Sequence, residues 1–175
     1  EIDAVLDVLK KDRLALMSGK RVRELEEKVS IIFRKKYGLM TNSGSSANLL
    51  AVQGLRLKKG SKVITPALTF STTVAPLVQS GLIPLFVDVD PNTLQIDTSI
   101  FNKLNLNNVS AICVPNLIGN IANWEDIALF AKKNNIKVIE DSADTLGYSY
   151  KTSLDDWSDV STSSFYASHV VTGAG

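Results

Sequence analysis

The sequence contains one cysteine and one histidine, and it has no lysine after Lys151. A single cysteine, Cys113, excludes a disulfide framework and a four-cysteine metal site within the chain. Its setting, Ala-Ile-Cys-Val at 111–114, reads as a buried, inert thiol. No apolar run reaches the 18 residues of a membrane-spanning helix, and no signal-peptide pattern is present. Basic residues number 19 and acidic ones 18, for a net charge of +1, so the basic excess that a nucleic-acid surface requires is missing. These absences lead us to expect a cytoplasmic protein whose partners include neither nucleic acid nor membrane. Internal repeats, low-complexity tracts and Pro/Gly-rich linkers are also lacking, so one domain is expected. The chain begins inside an amphipathic pattern and stops on Gly-Ala-Gly with no closing element, which we read as the N-terminal part of a longer protein.

What is present is enough for one core: 45% of the 175 residues are hydrophobic. Residues 2–16 have helical spacing, and residues 21–37 show it more clearly, with Val22, Leu25, Val29, Ile32 and Phe33 on one stripe. A short strand is expected next, then a turn feeding a helix across SGSSANLLAVQGLRL, ended by Gly60. KVITPA reads as a strand, STTVAPLVQSG as a helix stopped by Gly81, and PLFVDVD and SAICVP as strands. Asn123 caps a helix running to about Asn135; KVIED and STSSFYA are the last strands. Strands alternating with helices predict an α/β fold with a mostly parallel sheet and helices on both faces.

In such sheets ligands bind at the carboxyl ends of the strands. Four places there carry chemistry. The turn Asn42-Ser43-Gly44-Ser45-Ser46 opens a helix whose first amides and dipole suit a phosphate, although an ordinary serine-capped helix reads the same way. Its glycine spacing is neither a Walker motif nor a dinucleotide fingerprint. Phe70, just past a strand end, is either core or a stacking plate for a planar ligand. Glu140-Asp141 ends an apolar strand, and a carboxylate in a partly dry site calls for a cation, such as a protonated ring nitrogen; a helix-capping or surface acid is the alternative. Asp144 is a second carboxylate close by. Ser164 and His169 lie on the last polar stretch, and His169 is either a proton-transfer group or a hydrogen-bonded structural histidine.

Taken in order, a phosphate cradle, an aromatic plate, an acid and a final polar loop resemble the site of a fold-type I pyridoxal phosphate (PLP) enzyme. The segments NSGSSANLL, VITPALTFSTTVAPLVQSGLIPLFVDVD, VIEDSADTLG and SFYASH resemble the DegT/DnrJ/EryC1/StrS family of sugar aminotransferases over nearly the whole chain. The resemblance implies the large domain of the fold-type I transferases, with a mixed, mostly parallel sheet. Residues 1–175 would be its N-terminal part, 1–20 an N-terminal helix or arm, and a small C-terminal domain would follow. It implies that Gly44, Ser45 and Ser46 hold the cofactor phosphate with Ser164, that Phe70 stacks on the pyridine ring, and that Asp141 pairs with the ring nitrogen. Asp144 is expected on the cofactor as well. A homodimer with shared active sites and a nucleotide-sugar substrate are further implications.

At the catalytic position the family's aminotransferases carry a lysine, and this chain has His169. That departure, and Asp144 within Glu-Asp-x-x-Asp-x-Leu-Gly, resembles the lysine-less 3-dehydratases of nucleotide-linked 4-keto-6-deoxyhexoses, which serve deoxysugar and lipopolysaccharide O-antigen synthesis. The resemblance implies C3 deoxygenation with pyridoxamine phosphate (PMP) and His169 as acid and base. An aminotransferase whose lysine was replaced, or an inactive nucleotide-sugar-binding relative, stays open. A CDP-linked subgroup uses an iron–sulfur cluster and a reductase, with a cysteine just before the position of Asp144. Ala143 stands there, and no metal is expected within these residues.

Overall fold

The structure is a computed structural model and describes residues 1–14, 16–146 and 156–173. The chain divides into two compact units, Glu1–Met40 and Thr41–Gly175. The first holds α1 (Ile2–Lys11) and α2 (Lys20–Ile32). Helix α1 stops earlier than its apolar spacing predicts, with the chain turning at residues 12–14. Helix α2 ends at Ile32, because Phe33 leaves the helical region and Arg34 takes a left-handed backbone, φ 54°. The strand expected after residue 37 does not form. That segment lies against α2 instead: the Met40 amide donates to Glu26 Oε1 at 2.8 Å, and Gly38 packs so closely on the Glu26 carbonyl that a Cβ would collide with it.

Among the described residues, the second unit is built on a five-stranded sheet of order β2-β1-β3-β4-β5. Its strands are β1 (Lys62–Pro66), β2 (Ile83–Val87), β3 (Val109–Pro115), β4 (Lys137–Asp141) and β5 (Val160–Thr162). All four strand pairings are parallel. Strand β2 is shorter than PLFVDVD suggested: beyond Val87 the chain turns back through an antiparallel bridge from Val89 to Ile96. Likewise β5 covers three residues of the longer run expected, and Ser163 onward leaves the sheet.

Alternation along the strands sends side chains to opposite faces. Ile64, Ile112, Val114 and Val138 meet α5 (Trp124–Asn134) through Trp124, Ile127 and Ala131, with Phe101 of the 3-10 segment Thr98–Lys103. Val63, Ala111, Cys113 and Ile139 meet α3 (Gly44–Gly54) and α4 (Ser71–Gln79) through Ala51, Val52 and Leu77. The helices therefore cover both faces, as the alternating pattern predicts. The caps explain two of them. Ser43 Oγ accepts the Ser46 amide to start α3, and Asn123 accepts the Asp126 amide to start α5, which Asn135 ends in a left-handed conformation. Cys113 is buried as expected, and burial, reinforced by the charge of Asp141, pushes its thiol far above the ordinary range.

Because the strands are parallel, the residues that follow β1, β3, β4 and β5 gather at one edge of the sheet. Phe70, the 116–120 loop, Asp141 to Asp144 and the 163–173 loop leave from there. Ile112 sits in the central strand with no exposure. Ile112→Ala should cost about 2–5 kcal/mol, whereas Leu129→Ala on the outer face of α5 should stay within about 0.5 kcal/mol. Urea unfolding followed by far-ultraviolet circular dichroism checks this, and equal losses at the two positions would refute the two-face packing described.

Candidate functional site

Asp141 ends β4 on the face covered by α3 and α4, and it is buried. Its Oδ2 accepts Asn48 Nδ2 at 2.8 Å and Thr73 Oγ1 at 2.9 Å, while Oδ1 accepts the Ala143 amide at 3.3 Å. These donors are all neutral. Burial is the largest influence and raises the carboxyl above its ordinary value of 3.8; the bonds from Asn48, Thr73 and Ala143 oppose it, and the charge of Asp144 adds to it. The arrangement is a dry carboxylate with capacity left for a cation.

Gly44 and Ser164 meet at the N-terminus of α3. A Cβ on Gly44 would lie 3.0 Å from Ser164 Cβ and 3.2 Å from its Oγ, so any larger residue would require the Ser164 side chain to give way by a few tenths of an ångström. The first amides of α3, those of Gly44 and Ser45, have no intrahelical acceptor by position. The Ser46 amide is taken by Ser43 Oγ at 3.1 Å, and Ser43 Oγ also lies 3.1 Å from Ser46 Oγ. Ser164 is buried and its Oγ accepts the Tyr166 amide at 3.3 Å. Phe70 occupies the N-cap position of α4 and is 68% exposed, which rules out a core role in this unit. It is tied to Asp141 through Thr73, whose amide donates to the Phe70 carbonyl at 3.0 Å.

Asp144 and His169 form the second cluster. His169 Nε2 lies 3.6 Å from Asp144 Oδ1, and Asp144 Oδ2 accepts the Ile118 amide at 3.0 Å. Ile118 delivers that amide from a left-handed backbone, φ 57° and ψ 35°, which a β-branched residue adopts only under constraint. The loop carrying His169 is closed by bonds from the His169 amide to the Tyr166 carbonyl and from the Gly173 amide to the Phe165 carbonyl, both 2.9 Å. Among the described residues His169 Nδ1 is buried with no hydrogen-bond partner, while Nε2 faces Asp144 at a distance longer than a hydrogen bond.

Glu140 and Asp141 were read together in the sequence, but the strand sends them to opposite faces. Glu140, fully buried, accepts Ser142 Oγ at 2.7 Å, Ser161 Oγ at 2.8 Å, Trp157 Nε1 at 3.0 Å and Asn116 Nδ2 at 3.3 Å. It is a hub binding β4 to its neighbouring loops. Sequence reasoning missed Asn48, Thr73 and Thr162, all buried around Asp141. One signal was available. Pro76 lies inside α4 and has no N–H, which leaves the Thr72 carbonyl without its helical donor, and Asn48 Nδ2 supplies one at 3.2 Å. Among the described residues no helix is long and apolar enough to cross a membrane, and no cluster of three or more His, Cys, Asp or Glu is placed to hold a metal.

Known proteins share this chain's sequence and fold. Lipopolysaccharide biosynthesis protein RfbH of Salmonella typhimurium is 39% identical over 166 residues, covering 90% of this chain and 38% of that protein. GDP-4-keto-6-deoxy-D-mannose 3-dehydratase of Escherichia coli O55:H7 is 35% identical over 183 residues, covering 100% and 47%. The E. coli GDP-4-keto-6-deoxy-D-mannose-3-dehydratase solved with bound hydrated PLP superposes with a TM-score of 0.78 at 35% identity, covering 87% of this chain and 40% of that one. The chain thus spans less than half the length of these relatives. The sequence profile of the DegT/DnrJ/EryC1/StrS aminotransferase family matches residues 1–175, and the chain belongs to that family.

Proposed function

We propose that the protein of which this chain forms part removes the C3 hydroxyl of a nucleotide-linked 4-keto-6-deoxyhexose, using PLP in its pyridoxamine form, with His169 as acid and base. The observation that carries this reading is His169 itself: an imidazole with one nitrogen toward Asp144 and the other buried and unpartnered, at the position where the resemblance calls for a lysine. The relatives named as 3-dehydratases support it.

The residues fit the cofactor. Asp141 is a buried carboxylate surrounded by neutral donors, and a protonated ring nitrogen would supply the missing positive charge. Gly44, Ser45 and Ser164 would hold the phosphate at the start of α3, where free amides and the helix dipole favour an anion. Ser46 would act through its hydroxyl, since its amide is already bonded. The exposed Phe70 would cover the ring, and Asp144 would reach the cofactor as well as His169. When bound, the cofactor supplies an electron sink for losing a proton beside its amine and the hydroxyl at the neighbouring sugar carbon.

The chain's own part is proton handling. Asp144 Oδ1 faces His169 Nε2 at 3.6 Å, and drawn into hydrogen-bond reach it would favour the tautomer with hydrogen on Nε2, leaving the Nδ1 lone pair as base. The proton taken up at Nδ1 is then given to the departing C3 hydroxyl, which leaves as water when the C3–O bond breaks. Imidazole cannot capture the cofactor covalently as a lysine does, so the amine remains free for the sugar ketone. In the complete protein we expect a homodimer whose partner subunit contributes to the site.

Purified complete protein given PMP and GDP-4-keto-6-deoxymannose should yield a 3-deoxygenated sugar by mass spectrometry; an amino sugar that keeps its C3 hydroxyl would sink the reading in favour of transamination. His169→Asn should slow deoxygenation by about 100-fold or more while cofactor uptake, followed by absorbance, persists.

Asp141 generates a second expectation. Its raised carboxyl holds a proton more tightly when folded than when unfolded. Its contribution to the stability of the ligand-free protein is therefore fully present below the ordinary value of 3.8 and is lost as pH rises through the raised value. Asp141→Asn keeps an oxygen for Asn48 and Thr73 but cannot ionise. In melting curves without cofactor, the variant should gain on wild type as pH rises from 4 toward neutrality, and it should lose PLP affinity. A constant difference across that range would contradict the raised carboxyl.

A further inference from the structure

We infer that Asn48 aims Asp141: it engages one carboxylate oxygen, Oδ2, and so leaves Oδ1 as the oxygen offered to a cationic ring nitrogen. The inference rests on the cofactor reading above and concerns a residue outside the catalytic set. Asn48 is buried in α3, one turn beyond Gly44, and its side chain joins four elements. Nδ2 donates to Asp141 Oδ2 on β4 at 2.8 Å and to the Thr72 carbonyl on α4 at 3.2 Å, while Oδ1 accepts Thr162 Oγ1 of β5 at 2.6 Å.

The orientation of the amide is forced. Reversing it would turn Oδ1 toward a carboxylate oxygen and a carbonyl, two acceptors, with no hydrogen between them. Pro76 makes the Thr72 carbonyl available, so a backbone feature of α4 holds the Asn48 amide in place. Thr73 Oγ1, from the next residue of α4, donates to the same Oδ2 at 2.9 Å. Oδ2 therefore carries two short bonds, whereas Oδ1 has one long one, from the Ala143 amide at 3.3 Å. The oxygen with capacity left is Oδ1. The Asn48 bond also favours the ionised carboxyl against its burial, so it affects both the direction and the charge of the acid. Its position at the start of α3 couples that acid to the turn proposed to hold the phosphate.

The test uses the complete protein with PLP labelled with ¹⁵N at the ring nitrogen. In wild type the resonance should sit at the protonated position. In Asn48→Leu it should move toward neutral pyridine, and PLP should bind about tenfold or more weakly, as expected for a lost bond to a charged group. Without ligand, the ¹³C carboxyl signal of Asp141 should titrate at higher pH in the variant than in wild type. Thr162→Val leaves both side-chain donors of Asp141 in place and removes the hydroxyl that orients the amide, together with its 3.3 Å bond to the Glu140 carbonyl. It should shift both signals in the same direction by less, and it decides the question if Asn48→Leu does not fold. A merely structural role would lower the melting temperature and leave both signals in place. Unchanged ring-nitrogen and Asp141 signals in a folded variant overturn the inference. A wild type that takes up no PLP refutes the cofactor reading itself, while the ligand-free titration still decides whether Asn48 governs the acid.

Discussion

The arrangement of the second unit depends on a carboxylate kept in a dry place. Taking Asp141 out of water is costly, and a lone ionised group there is tolerated only if donors surround it. The donors come from Asn48 on α3 and Thr73 on α4, far away in the sequence. Satisfying one carboxylate therefore fixes where two helices sit on the sheet. The same bonds that make the burial tolerable place the N-termini of both helices, with Gly44 and Phe70, around the end of β4. Fold and site are in this respect one set of contacts. The compensation is incomplete, since the carboxyl remains raised, and that residual cost is what a cationic ligand would relieve.

Strand parity divides the labour between neighbouring acids. Glu140 and Asp141 are adjacent, so their side chains leave β4 in opposite directions. Glu140 gathers Asn116, Ser142, Trp157 and Ser161 and ties the loops together on its own face. Asn116 in turn accepts Trp124 Nε1 at 2.9 Å and the Ala122 amide at 3.1 Å, which anchors the start of α5. One strand end thus carries a structural acid and the acid proposed for the site, and the two do not compete because the sheet lies between them.

The alternation of strands and helices was legible because each element carries a local signal: apolar runs at β1, β3 and β4, the cap at Asn123, the stop at Gly81. The places where reading the sequence failed lack such signals or had them outweighed. Residues 38–40 look strand-like, but the contacts of Gly38 and Met40 with Glu26 hold them against α2. The motif residues Gly44, Asp141, Ser164 and His169 stand out by type and order. Asn48 and Thr73 do not, because a polar residue in a helix reads as surface, and their partner Asp141 is 93 and 68 positions away. That the Ser46 amide is engaged by the cap was not legible either, since it requires knowing that Ser43, not Asn42, precedes the first helical residue.

The pair of Asp144 and His169 is better understood as orientation than as stability. Asp144 is 37% exposed and lies 3.6 Å from His169 Nε2, so the contact contributes little to folding. Yet the backbone at Ile118 takes an unfavourable conformation to direct an amide at Asp144, and such strain, of order 1–3 kcal/mol, persists only where the surroundings impose it. A weak interaction held by a strained one is hard to explain as stabilisation. It is explained if the benefit lies elsewhere: with Asp144 fixed by Ile118 and facing one nitrogen of the imidazole, the carboxylate would orient His169 for the acid–base role proposed for it. A lysine at that position would need no such arrangement, because its reactive atom is single. On the proposed reading, the constraint on Ile118 is the backbone counterpart of a histidine standing where the resemblance calls for a lysine.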